Sequence, residues 1–210
     1  MTRIYRYILD TDCGMAPCFD AGTISLATCK PGIRKHAQEG DWVAGFWPGS
    51  DHRGLLVWAG RVSRSMPTGE YQLSHSKRPD AVYSERRDKT FERLKRGYHC
   101  DPKQMERDVG NPVLLFERSA NWYFGSSPRE LPDVLMHLAA KGQGYRVNFR
   151  EDGDLERWIA WLFECEPGVH GKPRDELILC PGCVHCADSG AKPRKGCGTR
   201  KAKPRKPKRC

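Results

Sequence analysis

The chain has 210 residues, enough for one domain with a real core and a small appendage. Residues 187–210 hold ten lysines and arginines against the single acid Asp188, so +9 of the net charge of +10 sits there and +1 is left for residues 1–186. A near-neutral body has no global field with which to attract a polyanion, so nucleic-acid contact by the body requires a local basic patch.

Mean hydropathy is −0.70, and no apolar run approaches the ~20 residues of a membrane-spanning helix. The opening MTRIYRYILD lacks the apolar core and small-residue cleavage site of a secretory leader, which gives a cytoplasmic expectation, in a bacterium or a phage-infected host. Ten cysteines without such a leader point to metal ligation rather than disulfides.

In chain order, residues 3–9 alternate Ile4, Tyr5, Tyr7 and Ile8 among basic residues and read as a strand. Residues 10–19 are turn formers and read as a loop, and residues 23–27 as a second strand. Residues 31–38 form a short helix with Pro31 in its first turn and Gly40 as its stop. Gly40-Asp41 then turns the chain into a strand over 43–46 that carries Val43, Phe46 and Trp47 behind Trp42. A polar loop at 50–54 leads to a strand over 55–63, and Thr68 caps a helical turn through Leu73.

Residues 74–111 are charged and weakly periodic, and receive no assigned structure beyond a helical turn that Phe91 and Leu94 could anchor. Residues 113–119 and 122–124 read as a tight hairpin with Ala120-Asn121 at its turn. A helix over 132–141 places Leu135, Leu138 and Ala139 on one side and stops at Gly142. Asp154 caps a second helix, in which Leu155, Trp158, Ile159 and Leu162 recur at helical spacing. The fold class expected is α+β: a curved, mostly antiparallel sheet, PUA-like or barrel-like, with two C-terminal helices. Domain 1–165 is expected to be followed by a cysteine-rich zinc knuckle over 166–197 and a disordered basic tail over 198–210.

Four groups of residues carry candidate chemistry. Asp10 and Asp12 stand beside Cys13 and Cys18 in a loop suited to a metal or a nucleotide, though the same residues also suit an ordinary turn. Lys30, Arg34, Lys35 and His36 surround a helix start, which favours phosphate, and the same environment would activate Cys29 as a nucleophile. Trp42, Trp47, Trp58, Trp122 and Tyr123 offer rings for stacking a base, with Trp47 and then Tyr123 the first choices and the rest core. Cys180, Cys183, Cys186 and Cys197 have the thiolate count of a structural zinc site, with Cys165, His170 and His185 as alternative ligands; an iron–sulfur cluster or an unstructured linker are the other readings. In the tail, Arg200, Lys201, Arg205 and Lys206 lie among prolines that keep the chain extended for phosphate contact without sequence readout.

Three motifs carry a family resemblance: Tyr5-x-Tyr7 with Asp12-x-Gly14-x-Ala16-Pro17; Thr23-x-x-Leu26-Ala27-x-Cys29-Lys30-Pro31-x-Ile33-Arg34 running into Gly40-Asp41-Trp42-Val43; and Val113-Leu114-Leu115 leading to Tyr123-Phe124-Gly125 and Leu131-Pro132. With the closing Trp161-Leu162, they resemble the second of the nucleotide modification associated domain families over residues 3–163. The resemblance implies a phage or bacterial setting linked to modified DNA bases. The expected function is DNA binding, in which the body recognises a modified base or nucleotide and the tail binds phosphates, within a modification or restriction complex and without a membrane. The alternative is an enzyme of base hypermodification that uses the Asp10/Asp12 loop and Cys29.

Overall fold

Two long strands organise the molecule because their side chains are apolar on both faces. A computed structural model describes residues 2–95, 97–177 and 179. The strands are β1 (Ile4–Ile8), β2 (Cys18–Asp20), β3 (Thr23–Leu26), β4 (Trp42–Phe46), β5 (Leu55–Met66), β6 (Tyr83–Glu85), β7 (Phe91–Arg93), β8 (Val113–Tyr123), β9 (Arg129–Glu130), β10 (Tyr145–Arg146) and β11 (Gly168–Val169). The helices are α1 (Pro31–His36), α2 (Thr68–Ser74), α3 (Pro102–Val109) and α4 (Asp154–Leu162), with 3-10 turns at Ser50–His52 and Asp133–Leu138.

The main sheet runs β10-β1-β4-β5-β8-β3-β2, with β11 added along β8 and β9 along β5. It is mostly antiparallel; β1 with β4 and β11 with β8 are parallel. The path ends at β10 and β2, so the sheet is open rather than a closed barrel. β6 and β7 form a separate two-stranded ribbon.

Both faces of the sheet are covered. On one face Trp42, Phe46, Leu56 and Trp122 pack against Leu135 and Leu138 of the 3-10 turn and Trp158 and Leu162 of α4. On the other, Tyr7, Val43, Val57, Trp58 and Phe116 pack with Ile33 and Ala37 of the α1 segment. Double coverage explains why β4 and β5 read as near-continuous apolar runs instead of alternating ones. Each large side chain buried in this way contributes about 1.5–3 kcal/mol of transfer free energy.

The hairpin expected over 113–124 is instead one eleven-residue strand. Ala120 and Asn121 are buried in it, with Asn121 opposite Gly60 and Trp122 opposite Ala59. The register along β5 and β8 shifts between Gly60 and Val62 and again between Val62 and Arg64. These bulges absorb the residues that look like a turn. Gly60 is needed there, since a Cβ would lie 2.8 Å from the Phe116 ring.

The loop expected over 10–19 ends in β2, and residues 74–111 fold into β6, β7 and α3. Polar groups hold that segment. Arg78 and Asp80 are buried, and Asp80 accepts hydrogen bonds from Ser25 (2.6 Å) and Tyr71 (2.7 Å). The Asp101 side chain caps α3 through the Lys103 N–H at 2.9 Å.

Of the two C-terminal helices, α4 is α-helical and the first is a 3-10 turn. Asp154 is the first residue of α4 rather than its cap, which is Gly153 in the left-handed region. The knuckle's cysteines and the basic tail lie outside the described residues.

Gly45 on β4 tests this packing. A Cβ there would run into the Trp58 indole, which also donates to the Tyr7 hydroxyl at 2.9 Å. Gly45→Ala is expected to lower unfolding free energy by about 1–3 kcal/mol through overpacking. Equilibrium denaturation reads this, and wild-type stability would refute the packing.

Candidate functional site

A cleft of about 1090 Å³ opens between the end of β1, the start of α1, the segment after β4 and residues 140–145. Tyr7, Trp47 and Tyr145 bring rings to it, Lys30, Arg53 and Lys141 bring cations, and Asp10 brings a carboxylate. Its narrow side depends on Gly32, where a Cβ would lie 2.8 Å from the Tyr145 ring. At that position the Tyr145 ring lies close against the α1 backbone.

Cys29 and Lys30 enter α1 with φ of 58° and 43°, in the left-handed region that non-glycine residues seldom occupy. The Lys30 carbonyl accepts from the Ile33 and Arg34 N–H groups at 3.0 and 3.1 Å, and the Cys29 N–H donates to Asp108 at 2.8 Å. The strained turn is therefore held from both sides, and it aims Lys30 into the cleft. Lys30 Nζ sits 4.4 Å from the centre of the Tyr7 ring and 3.5 Å from the Ile8 carbonyl. Burial lowers the Lys30 pKa, against the opposing influence of Cys29 and Asp10.

Of the site residues expected from sequence, Asp10, Lys30 and Trp47 meet at this cleft. Trp47 is only 3% exposed: the Arg174 guanidinium covers its ring at 4.7 Å and His52 meets its edge. Asp12, Arg34 and Tyr123 are buried on internal partners. The Tyr123 hydroxyl donates to Asp12 at 2.6 Å, and the Asp12 and Arg174 backbones tie the same corner to Asp175 and Asp12. Burial pushes both the Asp12 carboxyl and the Tyr123 phenol up. Arg34 donates to the carbonyls of Asp108, Asn111 and Pro112 at 2.6–2.8 Å. Lys35 and His36 lie on the exposed side of α1, and Trp42, Trp58 and Trp122 are core.

Tyr145, Arg53 and Lys141 were not legible as site residues. Their only signal is position: Tyr145 follows the Gly142-Gln143-Gly144 loop, and Arg53 lies in the polar loop before β5.

Behind the α1 turn, Cys29 Sγ lies 3.3 Å from His99 Nε2, and His99 Nδ1 lies 2.6 Å from Asp108 Oδ2. Asp108 also accepts from the Tyr83 hydroxyl at 2.9 Å and pairs with Arg34 at 3.5 Å. Burial opposes the charged imidazole, but the hydrogen bonds to Asp108 and Cys29 outweigh it and lift the His99 pKa to about 10. No local signal links Cys29 to His99, which sits seventy residues away in the segment with no apolar period.

His137, Glu151 and Asp154 also stand together, with ligand atoms within 4.8 Å of one another. Asp154 is already engaged by His137 at 2.8 Å, the Arg150 and Glu151 N–H groups and Arg157, so the group serves to pin the loop before α4. Among the alternative metal ligands, Cys165 is buried, and His170 stacks on Phe124 and bonds the Glu166 carbonyl at 2.8 Å. His185, Cys180, Cys183, Cys186, Cys197, Arg200, Lys201, Arg205 and Lys206 lie outside the described residues.

The family model for nucleotide modification associated domain 2 matches residues 1–179, and the chain belongs to that family. No curated protein and no solved structure matches the chain.

The His99 contacts fix a pH dependence. A pKa raised from 6.5 to about 10 stabilises the fold fully below pH 6.5, and this contribution fades as pH rises towards 10. His99→Gln should therefore cost more unfolding free energy in mildly acidic than in alkaline urea titrations. An equal loss at both ends would show that the ion pair does not form.

Proposed function

We propose that this member of the nucleotide modification associated domain 2 family binds a nucleotide of DNA in the cleft and recognises a modified base there. The observation that carries the reading is convergence: Asp10, Lys30 and Trp47, far apart in sequence, line one cleft with Arg53 and Lys141. Its volume of about 1090 Å³ lies just above the ~300–1,000 Å³ usual for ligand pockets, which leaves room for a base with an added substituent.

The chemistry suits a nucleotide. The ring of Tyr145 offers apolar surface to a base, and Lys30, Arg53 and Lys141 offer charge to its phosphates. Asp10 is exposed and accepts from an exocyclic amino group or a sugar hydroxyl. Arg200, Lys201, Arg205 and Lys206 then add phosphate contacts along the polymer, which raises affinity as a tethered second module does. Cys180, Cys183, Cys186 and Cys197 supply four thiolates for a structural zinc beside that tail, and the assembly served is a modification or restriction complex.

Fluorescence anisotropy of the full chain on matched oligonucleotides, with and without a hypermodified pyrimidine, tests this. At about 0.5 M salt, where exposed charges are screened, Lys30→Glu should weaken binding to the modified strand about tenfold, which is ~1.4 kcal/mol. Lys201→Glu should matter only at low salt. Equal affinity for the two strands, or no effect of Lys30→Glu, would overturn the reading.

A further inference from the structure

Cys29 carries a feature that nucleotide binding in the cleft does not use. Its sulfur, His99 and Asp108 stand in line, with contacts of 3.3 Å and 2.6 Å that use opposite nitrogens of the imidazole. They come from three separate places: the turn before α1, the segment before α3 and the last turn of α3. Cys29 and His99 are half-buried, with 17% of the His99 side chain reached by solvent, whereas the Asp108 side chain is 3% exposed.

The imidazole is held in one pose. Tyr98 stacks on it with ring centres 4.3 Å apart and planes 7° apart, and the Arg93 guanidinium donates to the His99 carbonyl at 2.5 Å. Asp108 is held by Tyr83, Arg34 and the Cys29 N–H itself. Cys29 and His99 both have left-handed backbones, φ 58° and 48°. Such conformations are costly for residues with a Cβ and persist where the surroundings over-determine them. A thiol that only filled space would need none of this.

We propose that Cys29, His99 and Asp108 form a nucleophilic triad that takes an acyl group from an ester or amide onto the Cys29 sulfur. The His99 imidazolium, held by Asp108, pairs with the Cys29 sulfur, which attacks the carbonyl carbon as the thiolate. The C–S bond forms as the C–O or C–N bond breaks, and the imidazolium gives its proton to the departing alcohol or amine. Asp108 keeps its charge and the imidazole its orientation throughout. Water or an acceptor amine then attacks the thioester and gives a proton to His99, and the sulfur leaves as the thiolate, which restores the pair. Acyl transfer fits better than disulfide exchange because an alcohol or amine needs an acid to leave and a thiolate does not.

The site adjoins the cleft without depending on it. Cys29 precedes Lys30, and its sulfur acts electrostatically on Lys30 and Tyr7, both cleft residues. The other titratable or charged groups around the pair are Arg34, Arg93, Tyr83, Tyr98 and Cys13.

The test uses the full chain with p-nitrophenyl acetate as the acyl donor, stopped flow for p-nitrophenolate and peptide mass mapping for the acetyl group. At neutral pH, Cys29 should acquire acetyl about tenfold or more faster than Cys13, which is also half-buried. A burst of nitrophenolate should disappear in Cys29→Ser. His99→Gln should slow acetylation of Cys29 about tenfold at neutral pH and recover much of it in alkali, where the thiolate forms unaided. Circular dichroism confirms that this variant is folded, and the Cys29-to-Cys13 comparison in the wild type needs no variant. Nucleotide anisotropy on the same samples keeps failure of the cleft reading separate. Equal reactivity of the two cysteines, a pH profile unchanged in His99→Gln, or a Cys13–Cys29 disulfide as the main product would overturn the proposal.

Discussion

Asp108 is the group on which the second half of the molecule depends. One buried carboxylate on α3 meets Arg34 from α1, Tyr83 from β6, His99 from the preceding loop and the N–H of Cys29. A charge out of water is costly unless each of its lone pairs finds a partner, and a half-satisfied arrangement is worse than none. The Asp108 partners therefore form as a set. In forming, they fasten a charged, weakly apolar segment to the sheet and fix the turn that leads into the cleft.

This explains which parts of the fold were legible. β1, β3, β4 and β5 announce themselves as short runs rich in buried apolar residues, and α4 through Trp158 and Leu162 at helical spacing. Residues 74–111 do not, since Arg78, Asp80 and Asp108 anchor them through hydrogen bonds, and such bonds have no period. β8 misleads for a different reason. Ala120-Asn121 has the composition of a turn, but the bulged partner strand places it inside the ladder, with the Asn121 amide donating to the Glu117 carbonyl.

The candidate site divides in the same way. Asp10, Lys30 and Trp47 were found from residue type and local turn chemistry, and the cleft joins them. Asp12, Arg34 and Tyr123 have equally suggestive side chains, yet each satisfies a buried partner within the protein. Residue type identifies groups that interact strongly, and only the fold says whether the partner is internal. His99 shows the converse: an unremarkable histidine in a charged run acquires its meaning from Cys29 and Asp108.

One wall of the cleft rests on a close approach. The Tyr145 ring can lie over α1 because residue 32 has no Cβ, and Tyr145 belongs to a strand of two residues at the margin of the open sheet. So short a ladder is weakly fastened, with Arg6 and Tyr7 as its partners on β1. The wall of the cleft is thus its softest part, while its floor belongs to the rigid centre of the sheet. A ligand of the proposed kind would meet one wall that yields, with the position of Lys30 unchanged.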